Sequence, residues 1–233
     1  MTYKSGALCA AYFFWECLKM NLESIGFVMP HWLYWGWLAF IPLVIMAIGH
    51  KKGVLPPVPY DDKSGGVERA FDWISDRSGL FVALWSMSAV CAYTYEVVAR
   101  YLFNMPTIWV HESSFLLFGM QYMMIGAYGL LHGSHVRVDV LYTKLQPRRK
   151  AAFDVVTSVF FFIFIFAMLS TSWRFAVESI AMDERSVETW QIQYWPVKLL
   201  MFTGAVLILL AGVSRLIKDI RTYETCLKEE VNA

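Results

Sequence analysis

Apolar residues in this chain come in long blocks, not alternating stripes. Residues 78–95, 113–131, 155–173 and 199–214 contain no Asp, Glu, Lys or Arg. With their flanks they predict helical spans at 78–98, 109–131, 153–175 and 194–217. At about 1.5 Å per residue, each reaches across a hydrocarbon core of about 30 Å. The first two lie close together. The polar turn Arg100-Tyr-Leu-Phe-Asn-Met-Pro-Thr-Ile-Trp-Val-His-Glu112 separates them and the exit His135-Val-Arg-Val-Asp139 follows, which predicts a membrane hairpin.

Before these spans the pattern is less regular. Residues 8–20 hold Tyr12, Phe13, Phe14 and Trp15 but also Glu16 and Lys19, as in an interfacial helix or one arm of a short hairpin. Residues 25–48 carry no formal charge apart from His31, and Trp32, Tyr34, Trp35 and Trp37 crowd their first half. Aromatic side chains gather at bilayer boundaries, so an interface is expected near 31–37 and a hydrophobic helix from there to Ile48. Pro42 would kink that helix without forbidding it. Whether 25–48 spans or lies at the interface is left open, and with it the side of the N-terminus. Pro56, Pro57, Pro59, Gly65 and Gly66 make 53–66 a linker. Val67, Ala70, Phe71 and Ile74 then recur at helical spacing, with Glu68, Arg69, Asp72 and Asp76 largely elsewhere. That pattern fits a short amphipathic helix on the membrane surface, or a continuation of the next span below the bilayer.

The expected organisation is an N-terminal extension (1–52), the linker (53–66), a four-helix membrane domain (67–220) and a cytoplasmic tail (221–233). The fold class is an all-α integral membrane protein: four core transmembrane helices, an extra N-terminal hydrophobic helix and short interfacial amphipathic helices. Composition agrees, with 58% hydrophobic and 17% charged residues against roughly 45–50% and about 25% in soluble domains. A net charge of +1, with no basic stripe interleaved with aromatics, argues against a nucleic-acid groove.

Charge also sets an orientation. The connection 132–150 carries Arg137, Lys144, Arg148, Arg149 and Lys150 against Asp139 alone. The connection 178–197 has Arg185 and otherwise acids, and Arg215, Lys218 and Arg221 follow the last span. Basic residues stay cytoplasmic, so 132–150 and the C-terminus face the cytoplasm while the 99–108 turn and the 178–194 loop face outward. Cys9, Cys17, Cys91 and Cys226 form no C-x-x-C pair, and neither a disulfide nor a metal site is expected. Glu16 and Lys19 interrupt the first apolar run, so it does not read as a signal peptide and the chain is expected to be retained whole.

Candidate functional residues concentrate in the hairpin. Glu96 and Arg100 sit four apart, as in a helix-end ion pair or a contact to a second membrane protein. Asn104 and Pro106 mark the turn, Trp109 anchors at the interface, and Glu112 near a helix N-terminus gains from the local dipole. Gln121, within the second span, needs a hydrogen-bonding partner in the bilayer. No nucleophile–base pair, phosphate-binding glycine loop or paired catalytic carboxylate appears, and no cofactor is expected. His31, His50, His111, His132 and His135 lie at predicted edges, not as a facing pair mid-bilayer, which argues against haem.

Arg100-Tyr-Leu-Phe-Asn104 followed by Pro106, Trp109 and Glu112, then His135-Val-Arg-Val-Asp139 before Pro147-Arg148-Arg149, resembles the small membrane subunit of tripartite ATP-independent periplasmic (TRAP) transporters, the DctQ-like family. The likeness covers roughly residues 68–220. It implies a non-enzymatic small subunit in the bacterial inner membrane, bracing a large DctM-like permease that moves solute by an elevator mechanism. It also implies a periplasmic binding protein that delivers the solute and an ion gradient that drives uptake. On that analogy Arg100, Asn104, Trp109 and Glu112 stabilise the outer turn and subunit interface, and Glu96, Pro106 and Gln121 are expected beside them as structural or interface residues. His135, Arg137 and Asp139 form the cytoplasmic corner. The first 65 residues are additional to the usual small subunit, and Pro196-Val-Lys198 lacks the glycine usual soon after that proline. The rival reading is a membrane assembly or anchoring protein without a transport role.

Overall fold

The computed structural model describes residues 28–59, 65–134 and 147–231. These form helices α1 (His31–Lys51), α2 (Gly66–Ala83), α3 (Trp85–Leu102), α4 (Trp109–Met124), α5 (Gly126–Leu131), α6 (Pro147–Ala181) and α7 (Trp195–Val231). Leu84, between α2 and α3, and Ile125, between α4 and α5, both keep right-handed helical dihedrals. The breaks are therefore local, and each pair acts as one rod. Among the described residues, five stretches are long and apolar enough to cross a membrane: His31–Lys51, Gly66–Leu102, Trp109–Leu131, Ala152–Ala181 and Trp195–Thr225. His135, Arg137 and Asp139, and the aromatic run Tyr12–Trp15, lie outside the described residues.

The four core spans pack side by side, α6 along α7, α7 against α2, α4 and α5, and α3 against α4. The shared core is narrow. Val82, Trp85, Val110, Leu117, Met120, Ala127 and Leu207 fill it, while Phe160 and Phe164 of α6 stay about two-thirds exposed. Where lipid is the solvent, apolar surface gains little by turning inward, and helices associate through close packing and hydrogen bonds instead. Gly204 shows the packing: a β-carbon there would lie 2.6 Å from the carbonyl oxygen of Met123. Only glycine lets α7 approach the α4 backbone so closely.

The structure resolves the placement of the N-terminal helix. At one end Tyr34 donates from its hydroxyl to the Ser113 carbonyl (2.8 Å), next to the start of α4. Halfway along, Trp85 Nε1 donates to Leu38 O (2.9 Å) and Trp37 Nε1 to Ser88 Oγ (3.2 Å). Beyond its far end, Arg77 Nη2 donates to Pro56 O (3.3 Å). Thus α1 lies antiparallel along the α2–α3 rod, and its N-terminus shares an end with the 103–108 turn. Pro42 is accommodated inside the helix.

The structure decides one alternative that the sequence left open and extends one boundary. The helix containing Glu68, Asp72 and Asp76 is the lower part of the first span rather than a separate surface element. Its orientation is also the reverse of a surface amphipathic helix: the three acids are buried, whereas Val67 and Trp73 are more than half exposed. At the other end α7 continues to Val231, so the stretch expected to be a tail extends the last helix.

Candidate functional site

Two polar clusters occupy opposite ends of the bundle. At the turn end, α3 stops after Leu102 and the chain reverses through Asn104, whose φ of 52° lies in the left-handed region. Asparagine tolerates that conformation better than most residues. Met105 N–H donates back to Ala99 O (3.0 Å). Glu96 organises the turn: Oε1 accepts from Arg100 Nε (2.8 Å) and Nη2, and Oε2 accepts from the Thr107 amide (2.9 Å) and hydroxyl. Its carboxylate therefore joins the end of one span to the entry of the next. Glu96 is enclosed, while about half of the Arg100 side chain is exposed.

The neighbours of this turn were less legible. Trp109 is buried, stacked on Tyr95 with ring centres 6.1 Å apart and tilted against Trp190 at 6.4 Å. Glu112 is buried, with neither carboxylate oxygen hydrogen-bonded. Gln121 Nε2 donates to Ser86 Oγ (2.8 Å), leaving Oε1 unpartnered. Pro106 lies in the turn itself. The structure thus brings together Glu96, Arg100, Asn104, Pro106, Trp109 and Glu112 and sets Gln121 apart, three turns further along.

Trp190 was not singled out from sequence, yet it ties the 182–194 loop to the N-terminal helix. Its indole donates to Met29 O (2.9 Å), its carbonyl meets His31 Nε2 (3.0 Å), and its ring packs edge-on against Tyr34. The loop is held by Ser186 N to Ile192 O (2.8 Å) and Tyr194 N to Glu184 O (3.0 Å). Lys198, which follows Pro196 in α7, reaches back to Glu184 and holds its carboxyl below the usual carboxylate range. A depressed carboxylate stabilises the fold above its unfolded pKa and loses that contribution as pH falls through its folded value. The 182–194 loop should therefore loosen as pH drops below the ordinary carboxylate range. Hydrogen exchange of the loop, corrected for intrinsic rates, should show this in the native chain, and Lys198→Gln should weaken the pH dependence.

The opposite end carries the second cluster. Glu68, Asp72 and Asp76 recur every fourth residue on α2, forming one row of acids. Asp72 accepts from Ser214 Oγ (2.7 Å) and Lys218 Nζ (2.7 Å), Glu68 pairs with Arg221, and Asp76 meets His132 Nε2 at 3.0 Å. This ladder fastens α2 to α7 and to the end of α5. Each acid is at most 4% exposed, so each depends on its partner. Among the described residues, no group of three or more His, Cys, Asp or Glu is placed to hold a metal ion.

The family model described as "Tripartite ATP-independent periplasmic transporters, DctQ component" matches residues 89–222, more than half of the chain. The chain belongs to the DctQ family. It is thus a small permease component of a TRAP transporter and a membrane protein. The match begins within α3, so α1 and the acid-bearing α2 precede it, and this DctQ chain carries its extra apolar helix folded against the matched core. No curated protein matches the chain.

Proposed function

We propose that this DctQ chain is a non-conducting brace: it widens and steadies the large permease of its transporter while that partner, fed by a periplasmic binding protein, takes up solute driven by an ion gradient. One observation supports this reading above others. Glu96 at the turn and Glu68, Asp72 and Asp76 in the acid ladder are used in fixing helices to one another, and the middle of the bundle is packed with apolar side chains. A solute path would need polar groups facing a continuous cavity instead. With basic residues cytoplasmic, the turn end faces the periplasm, and the acid ladder and C-terminus face the cytoplasm.

In this reading the burial of Glu96, Trp109 and Glu112 makes them the frame of the outer corner. Arg100, half exposed, is the group that touches the partner. His135, Arg137 and Asp139 act at the cytoplasmic corner. The assembly-protein alternative differs in its partner. Affinity purification through a tag on this chain, from cells also expressing the large permease, should recover both in fixed ratio. Recovery of this chain alone would contradict the proposal.

A further inference from the structure

Beneath α1 lies a cleft of about 170 Å³, bounded by α1, α3 and α4. Its walls include Leu38, Ala92, Tyr95, Trp109 and Leu117, and exposed Cys91 stands at its margin. The size is comparable to the roughly 150 Å³ apolar cavity that stays dry and takes up benzene. One wall group is out of keeping with the rest. Ser114 is 1% exposed, lines the cleft, and has no hydrogen-bond partner. Helical serines normally bond back to a carbonyl of the preceding turn; Ser113 does so to Val110 (2.9 Å), whereas Ser114 does not. A hydroxyl left unmatched in an apolar wall calls for an acceptor from outside the chain.

We propose that this cleft is a phospholipid site, holding the first few methylenes of one acyl chain with its ester carbonyl accepting from Ser114. Depth supports the assignment. Ser114 and Tyr95 lie one to two helical turns from the turn end, and Leu117 and Ser88 lie deeper, so the polar donor sits nearer the headgroups than the apolar floor. The cleft is too small for a helix, and Val90 and Met87 on the same helix α3 are well exposed. It exists because α1, which lies outside the family match, leans over the core without filling the groove. The site is therefore a property of this chain's extension and does not depend on the subunit reading.

The test uses the full chain purified in detergent, titrated with a phosphatidylethanolamine of defined acyl chains. Native mass spectrometry counts bound lipid, and N-ethylmaleimide alkylation of Cys91 reports occupancy of the cleft. One lipid should remain bound per chain and slow Cys91 alkylation about tenfold. Ala92→Phe, which fills the cleft, should abolish both effects. Ser114→Ala should weaken binding about fivefold, the effect of one neutral hydrogen bond. An alkylation rate unchanged by lipid would overturn the proposal. So would equal protection by alkyl detergent alone, or the same tight lipid count in a folded Ala92→Phe chain.

Discussion

Lys218→Met should lower the unfolding free energy of the chain in detergent by about 3 kcal/mol or more. The size follows from which partner is left behind. Asp72 is 1% exposed and cannot reach water, so removing Lys218 strands a buried carboxylate with only Ser214 to solvate it. The reverse change, Asp72→Leu, should cost less, because Lys218 keeps about a quarter of its side chain exposed and can swing its ammonium to the headgroups. The double variant should recover much of the loss, since an apolar pair of similar volume replaces a buried ion pair at little cost. Denaturant titration in mixed micelles would measure all three. Equal, small effects would mean that the ladder does not hold α2 to α7.

The second large effect belongs to the turn end. Glu96→Gln should destabilise the chain by about 2 kcal/mol, within the range for hydrogen bonds made to a charged group. The glutamine must point its amino group at either Arg100 or Thr107, both of which are donors. Arg100→Ala should cost under about 1 kcal/mol, because the enclosed Glu96 keeps both Thr107 donors and only a half-exposed guanidinium is lost. The two variants therefore separate frame from contact. Glu96→Gln should lower both stability and co-purification of the permease, and Arg100→Ala co-purification alone. If Arg100→Ala leaves recovery of the permease unchanged, Arg100 is not the contact.

These two clusters were not equally visible in the sequence. Glu96, Arg100, Asn104 and Trp109 fall within a few turns of one another, and their crowding in a short turn between charge-free blocks was itself the signal. The ladder gave no such signal. Acids at every fourth position describe a solvated face as well as a buried one, and the lysine that decides between them lies 146 positions away. The placement of α1 was undecided for a related reason. Its aromatics surround the helix, with Trp32 exposed and Tyr34 buried, so its own pattern selects no inward side. Only the contacts to Ser113, Trp85 and Trp190 fix which face turns in. Trp190 itself sits in a polar loop, where a single indole reads as an interface anchor rather than a tie between distant segments.

The proposed role is that of a subunit that steadies transport without carrying the cargo. Ion-driven uptake into proteoliposomes tests this directly, with the binding protein outside and the large permease present alone, with this chain, or replaced by it. Full uptake is expected only with both membrane subunits, and none with this chain alone. Undiminished uptake by the permease alone would contradict the account.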